Sequence, residues 1–310
     1  MMVRTHDANL AFMVSQLEAL DKKLYEPLYN VTWARDIKLR SDVTLAHDST
    51  SFIRANFSGN GANELDGMPF IAPNATSLEG VAVTGEKVVL PMRLLGREIA
   101  FSSVELDRSQ LLGMPIEQQK FNALNADYQL STDKMVYVGN EKVGAKGLLN
   151  NGDVTIGNAA KAWKTATADE ILDMVNTAIE TAWKASGYNS CPDTLLLPPA
   201  QFALIAGKKV GDAGNESILT FIENNAISLR LNGNKIKVNA VKHLAGIGKN
   251  GNKDRMVVYS NQEDKVRFPL VPIRRETAYY HGINYIAPYI WAFGEVEFIY
   301  PETAYYSDGI

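Results

Sequence analysis

The sequence predicts an α+β fold, and three stretches carry that prediction. Residues 168 to 186 place Ile171, Leu172, Val175, Ala178, Ile179, Ala182 and Trp183 on one helical face. Residues 102 to 135 form a second, longer amphipathic segment. Over 78 to 101, and again from residue 228 onward, the chain reads mainly as strand.

In chain order, residues 8 to 25 read as a helix. Leu10, Met13, Leu17, Leu20 and Leu24 recur at spacings of 3, 4, 3 and 4, which makes one apolar stripe, and Asp7 can cap its start. Such a helix either packs on its own core or serves as an arm that docks on a neighbouring subunit. Residues 27 to 57 mix β-branched and polar residues with little periodicity. Ser58 to Gly67 holds three glycines and two asparagines, the composition of a loop. Glu64 and Asp66 do not follow the alternating ligand pattern of a calcium loop.

Residues 78 to 101 read as extended antiparallel structure. Val81 and Val83 alternate, Thr84-Gly85-Glu86 predicts a turn, and Lys87 to Leu94 continues as strand. Pro91 cannot donate to a ladder, which predicts an edge or a bulge there. A long hairpin beside a glycine-rich loop projects outward, because a buried loop would strand its backbone polar groups.

Ser102 and Glu105 have capping-box spacing for the long helix, whose face carries Phe121, Leu124, Tyr128 and Met135. Gly113-Met114-Pro115 predicts a kink or break near residue 114, since proline removes a backbone donor and crowds the preceding turn. Thr167 and Glu170 make a second capping box, and Gly187 sits where a helix-ending glycine belongs. Thr194 to Leu197 reads as a buried strand. Pro198-Pro199 ends it and starts a short helix through Phe202 and Ile205, closed by Gly207. Ser217 caps another helix to about Asn225. Asn232-Gly233 predicts a tight turn between a strand at Leu229-Arg230-Leu231 and the alternating Ile236, Val238 and Ala240. Arg255 to Ser260 and Lys265 to Val271 are further strands. The aromatic and β-branched stretch from Tyr285 to Tyr306 suits both sheet packing and subunit interfaces.

Bulk properties narrow the function classes. A 310-residue chain can bury roughly 75% of its unfolded surface, and 46% apolar with 21% charged residues excludes disordered and collagen-like classes. The net charge is −4, and the densest basic groups are only Lys208-Lys209 and Arg274-Arg275. A protein that grips nucleic acid shows a basic stripe, so DNA near this chain is expected to be enclosed rather than bound. The single cysteine, Cys191, cannot form an intrachain disulfide. Met1 to Asp7 carries no apolar signal region, and no run of about 18 apolar residues predicts a membrane span. These features predict a chain made and used in a reducing cytoplasm.

No residue is assigned a catalytic, cofactor-binding or metal-ligating role. His6, His47, His243 and His281 contain no metal-pair spacing. Cys191 lies among Asn189, Ser190 and Pro192 with no adjacent base, and there is no Gly-x-Ser-x-Gly elbow. Gly246 to Gly251 matches GxGxxG, but the following residues read as turn then strand, so no helix N-terminus faces a phosphate. Asp169-Glu170 lies in the first turn of a helix, where negative charge complements the dipole, and Glu295 and Glu297 read as alternating on one strand face.

Near the middle of the chain a spine-length helix runs into Met135-Val136-Tyr137-Val138-Gly139-Asn140, then Gly147-Leu148-Leu149-Asn150. Pro192-Asp193-Thr194-Leu195-Leu196-Leu197-Pro198-Pro199 and Gly294-Glu295-Val296-Glu297-Phe298-Ile299-Tyr300-Pro301 follow in order. These segments, and the order of the elements, resemble the major capsid proteins of tailed bacteriophages, which have the HK97-like fold, and more specifically their encapsulin-like branch. The resemblance covers nearly the whole chain. It implies an N-terminal arm (1–52), an extended β-hairpin loop (53–101) lying over a neighbour, a discontinuous peripheral domain with the spine helix (102–189 and 286–310), and an axial α/β domain (190–285) whose loops meet at five- and six-fold axes. Some members crosslink neighbours through Lys and Asn; no such pair is placed in this chain.

The resemblance implies a structural protein rather than an enzyme. It self-assembles as hexamers and pentamers into the icosahedral shell of a bacteriophage head around double-stranded DNA, with no cofactor and no membrane contact. Its expected place is the virion, assembled in the host cytoplasm. Scaffold, portal and decoration proteins are the further partners implied, and no acidic coiled-coil scaffolding segment precedes residue 8. Two alternatives stay open: an encapsulin-type compartment around a cargo enzyme, and an enzyme with an unrecognised site. On the shell reading, deleting residues 1 to 25, or 57 to 70, is expected to leave a folded but assembly-impaired subunit.

Overall fold

The computed structural model describes residues 27–59, 73, 81–112, 116–210, 216–249 and 253–310. The chain enters through α1 (Trp33–Asp36) and β1 (Lys38–Arg40). It then forms a two-stranded ribbon from β2 (Ser49–Gly59) and β3 (Val81–Pro91), paired antiparallel along their whole length. β4 (Arg93–Ser102) leads into α2 (Ser103–Leu112) and the long α3 (Ile116–Tyr137). A small hairpin of β5 (Gly139–Asn140) and β6 (Ala145–Lys146) precedes β7 (Thr155–Asn158) and α4 (Ala168–Ala185). After β8 (Thr194–Leu197) come α5 (Pro199–Gly207), α6 (Ile218–Asn225), α7 (Ile227–Asn232) and β9 (Lys237–Ala240). The chain closes with β10 (Arg255–Tyr259), β11 (Val266–Arg275), β12 (Tyr279–His281), β13 (Asn284–Phe293), β14 (Glu297–Phe298) and β15 (Ala304–Asp308).

Two sheets organise these elements. In one, β13 pairs with β4 over its full length on one side and with β11 and β12 on the other, while β11 also takes β1 and β14. The other runs β7-β15-β10-β8-β9, with β8–β9 and β7–β15 parallel. Side chains alternate across a strand, and this second sheet uses both of its faces. Leu196, Val257 and Tyr259 join the core beneath α3, whereas Leu195, Leu197, Met256 and Val258 join the core beneath α4. The five-stranded sheet is thus the wall between two cores. That explains why its central strands are near-continuous apolar runs instead of alternating ones.

α4 forms for the reasons its sequence states. The Thr167 side chain accepts from the Glu170 amide, the Glu170 carboxylate accepts from the Thr167 amide at 2.8 Å, and Gly187 takes a left-handed φ of 65° beyond the C-terminal end. α3 buries Leu124, Tyr128 and Met135, and Tyr128 meets Trp291 edge to face at 5.7 Å. Phe121 stays partly exposed on this helix, tilted against Tyr289. The expected break near residue 114 and the expected helix over 8 to 25 lie outside the described residues.

Two expected turns are not there. Thr84-Gly85-Glu86 lies inside β3, opposite Asn56, Ala55 and Arg54, so the ribbon consists of β2 and β3 and not of two strands within 78–101. The glycine is suited to the ribbon because a Cβ on Gly85 would sit 3.1 Å from Ile53 Cγ2. Asn232-Gly233 ends a helix, α7, rather than turning a hairpin. Gly233 has φ 71°, and its amide bonds back to the Leu229 carbonyl. Left-handed glycine serves both motifs, and here the parallel pairing of β9 with β8 selected the helix cap. Residues 27 to 57, which carry little sequence periodicity, supply α1, β1 and most of β2.

The two sheets cut across the sequence ranges given for peripheral and axial parts. β11 and β12, within 190–285, pair with β13, and β15, within 286–310, pairs with β10 and β7.

Candidate assembly surfaces

The β2–β3 ribbon stands apart from both sheets: its eleven register pairs join only these two strands. Register puts Ile53, Val83 and Val89 on one face, and they are 67%, 64% and 54% exposed. The opposite face, with Thr50, Phe52, Val88 and Leu90, is turned inward to a greater degree. An isolated two-stranded ribbon is marginal in water, so an exposed apolar face on one calls for a partner.

Two arginines tie the ribbon down, Arg40 near its base and Arg54 at its middle. Arg54 donates to the carbonyls of Phe298 (2.7 Å) and Ile299 (3.0 Å). Arg40 donates to Glu297 Oε1 at 3.0 Å and to the Ser51 carbonyl at 3.3 Å. Glu297 is fully buried and also takes Arg267 Nε at 2.7 Å. A buried carboxylate requires such pairing, and here the pairing ties β1, β11, β14 and the ribbon together.

A second polar joint links α3 to the five-stranded sheet. Asp133, 1% exposed at its side chain, accepts from the Thr32 amide (3.0 Å), His243 Nε2 (3.0 Å) and Lys242 Nζ (3.1 Å). Burial pushes the Asp133 carboxyl up, but the hydrogen bonds from His243, Thr32 and Lys242 outweigh it and hold the group below the usual carboxylate range. One turn away, Tyr137 donates to Asp36 at 2.5 Å, Asn239 donates to the same carboxylate at 2.8 Å, and Tyr259 donates to the Asp36 carbonyl. Burial first, then the Asp36 charge, raises the Tyr137 phenol well above its ordinary value.

The Gly-Leu-Leu-Asn segment splices onto the end of α3. The amides of Leu148 and Leu149 bond to the carbonyls of Val136 and Tyr137. Asn150 accepts from the Gly147 amide and donates to the Val138 carbonyl, both at 2.8 Å. Its far side is held by Arg255, which donates to the Leu149 carbonyl (2.7 Å) while pairing in a fork with buried Asp308.

The chemistry-bearing residues of the sequence do not converge. His47 accepts from the Thr44 amide, His243 belongs to the Asp133 joint, His281 is exposed on β12, and His6 lies outside the described residues. Cys191 is buried, and burial with nearby Asp193 pushes its thiol up to about 11. Gly246 to Lys249 forms a loop before β10, with the Gly246 amide on Asp254 and the Lys249 amide on Asp308. Glu170 pairs with Lys161 within its capping box. Glu295 and Glu297 do not share a strand face: Glu297 is buried in β14, and Glu295 precedes that strand. Among the described residues no group of three His, Cys, Asp or Glu could hold a metal ion, and no helix is long and apolar enough to cross a membrane. Sequence reasoning missed Asp36 and Asp133, because the partners that make them joints, Tyr137 and Asn239 for Asp36 and Thr32 and His243 for Asp133, lie about a hundred or more residues away; the adjacent Arg35, which donates to both oxygens of Asp36, gives no hint of them.

Comparison with known proteins adds a decisive observation. The family model described as major capsid protein matches residues 68–310. The chain belongs to the major capsid protein family. The capsid of Myoviridae phage XM1 has the same fold, with TM-score 0.77 at 16% identity over 96% of this chain and 98% of that one. Mycobacterium phage Ogopogo gives 0.59 at 11% identity over 96% and 98%. A virus-like particle from Pyrococcus furiosus gives 0.52 at 11% identity over 88% and 91%. No curated protein matches by sequence.

This capsid protein therefore has the HK97-like fold expected from its motifs, and its role is to form a shell as a component of the virion. The joints at Glu297, Asp133 and Arg255 tie its elements to one another within the subunit. Further exposed apolar residues lie at the β12–β13 turn, where Tyr279, Tyr280 and Ile283 are 47%, 78% and 66% exposed around Gly282.

Proposed function

We propose that this capsid protein closes into an icosahedral shell of hexamers and pentamers around double-stranded DNA. The observation that carries the proposal is the β2–β3 ribbon, whose Ile53, Val83 and Val89 form an apolar face with no covering element among the described residues. On a shell subunit such a face lies against a neighbour. Extended elements of this kind add contact area beyond the roughly 800 Å² per partner of a standard interface. The contacts are heterologous, and rotation closes them into a shell where translation would give a filament.

Residues 1–52 serve as the arm, 53–101 as the extended loop, 102–189 with 286–310 as the peripheral domain, and 190–285 as the axial domain. Genome retention is by enclosure, in keeping with the net charge of −4 and the lack of a basic stripe. The protein acts without enzymatic chemistry, assembles in the host cytoplasm, and works with scaffold, portal and decoration proteins.

Deleting residues 1 to 25, or 57 to 70, tests the arm and loop assignments separately. A folded subunit by circular dichroism with no closed particles in the electron microscope is expected from each. Normal particles from either deletion would remove that assignment. Nuclease-resistant DNA inside purified heads tests the cargo, and an enclosed enzyme in its place would favour a protein compartment.

A further inference from the structure

An asparagine followed by glycine carries its own reactive pair, because the next backbone nitrogen can attack the side-chain carbonyl carbon. Four such pairs stand in the chain, at Asn60, Asn151, Asn232 and Asn250. Asn60-Gly61 and Asn250-Gly251 lie outside the described residues. The other two differ in a way that exposure does not explain, since Asn232 is exposed and Asn151 is half-buried. Asn232 is the last residue of α7. Its side-chain amide donates to the Cys191 carbonyl at 3.1 Å, and the Gly233 amide donates to the Leu229 carbonyl at 3.1 Å. Both members of that pair are engaged elsewhere.

Asn151 is held open where Asn232 is closed. Its backbone amide donates to the Tyr306 hydroxyl at 3.3 Å, and Val154 on the far side of the turn is buried. Between those anchors Gly152 and Asp153 are exposed. The Asp153 amide donates to Asn151 Oδ1 at 2.8 Å, which folds the side chain back over the Gly152 peptide. The Gly152 amide and Asn151 Nδ2 have no hydrogen-bond partner among the described residues. A Cβ on Gly152 would meet nothing within 4 Å, so neighbouring atoms do not shield that nitrogen.

We propose that Asn151 is a site of spontaneous covalent modification, converted in the folded subunit to aspartate and isoaspartate while Asn232 is spared. The Gly152 nitrogen attacks Asn151 Cγ, the new N–Cγ bond closes a succinimide ring, and the side-chain nitrogen leaves as ammonia with the Gly152 amide proton. Water then opens the ring. Cleavage of the N–Cγ bond gives aspartate, and cleavage between that nitrogen and the Asn151 backbone carbonyl carbon gives isoaspartate. During the attack negative charge falls on Oδ1, the atom that the Asp153 amide already faces, so the turn stabilises the step. The conversion needs no enzyme and no partner subunit. Its product adds a carboxylate to a turn whose Asp153 already stands 4.0 Å from Arg54 of the ribbon. Isoaspartate also lengthens the backbone by one carbon directly after the Gly-Leu-Leu-Asn splice.

The purified chain, shown to be folded by circular dichroism, is held in mildly alkaline buffer, digested and read by mass spectrometry; a second sample is held in guanidinium chloride. In the folded sample the Asn151 peptide is expected to gain the one dalton by which a hydroxyl exceeds an amino group, and to separate into aspartate and isoaspartate forms. The Asn232 peptide is expected to stay unchanged there and to convert in denaturant, where the shared Asn-Gly pair alone governs reactivity. Gly152→Ala is expected to abolish conversion at Asn151 and to melt as the unmodified chain does, since its methyl group meets nothing in the fold but covers the attacking nitrogen. An unchanged Asn151 peptide in the folded sample would overturn the site. So would equal conversion of Asn151 and Asn232 there, or full conversion in Gly152→Ala.

Discussion

Asp133 and His243 meet at 3.0 Å, a carboxylate near the end of the long helix against an imidazole just beyond β9. The contact joins the two halves of the subunit. Lys242 and the Thr32 amide converge on the same carboxylate, so one buried side chain sets how α3 sits on the five-stranded sheet. In a shell protein that angle is a functional quantity, since small errors per subunit accumulate around a closed surface.

Asp133→Asn is expected to destabilise the subunit by about 2–4 kcal/mol at neutral pH, because it strips the negative partner from Lys242 and leaves imperfect donors buried. The carboxyl is held low in the folded protein. Its contribution is therefore fully present above the unfolded value of about 3.9 and is lost as pH falls through the folded value. Melting temperatures of both proteins across pH check this. Their difference should hold steady from pH 8 to about 5 and shrink below about 4.

Glu297→Gln tests the clamp at the ribbon base. Arg40 and Arg267 would lose a fully buried counter-charge, at a cost of about 3 kcal/mol. Denaturant unfolding measures the cost. Limited proteolysis should show earlier cutting near the ribbon than in wild type, because Arg40 also holds the Ser51 carbonyl.

Gly147→Ala should be among the most damaging small substitutions in the chain. A Cβ there would lie 2.4 Å from the Tyr137 carbonyl oxygen, and neither backbone can yield without breaking the splice to α3. A loss of more than about 2 kcal/mol, or failure to fold, is expected. Gly152→Ala, where a Cβ meets nothing within 4 Å, should be nearly neutral in the same thermal assay.

Ile53→Asp with Val83→Asp should leave the isolated subunit's stability within about 0.5 kcal/mol, because both side chains are exposed, yet should abolish assembly. Thermal melting and particle counts, read together, separate these effects. Equal loss of both would place the ribbon in the subunit's own core.

Local signals were legible in the sequence. The Thr167–Glu170 box, the Pro198-Pro199 boundary, the Ser217 cap and the buried Thr194–Leu197 strand all appear where their side-chain chemistry placed them. Errors arose where one residue type serves two motifs. Gly233 fits a hairpin turn and a helix cap equally well, and Gly85 reads as a turn until β2 is known to run opposite it. The joints were invisible because the contacts that tie Asp36 to Tyr137 and Asn239, Asp133 to Thr32 and His243, and Glu297 to Arg40 span about 100 to 250 residues, and the one local pair, Arg35 with Asp36, reads in sequence as an ordinary surface ion pair. Arg255 and Asp308 gave no signal for the same reason, although they brace the recognisable Gly-Leu-Leu-Asn motif.

Electron cryo-microscopy of heads purified from infected cells tests the central claim most directly. Closed shells are expected, with this chain fitted as five- and six-membered rings and the β2–β3 ribbon of each copy lying on a neighbour. Heads whose shell density is built by another polypeptide, with this chain present as a free monomer or dimer, would contradict it.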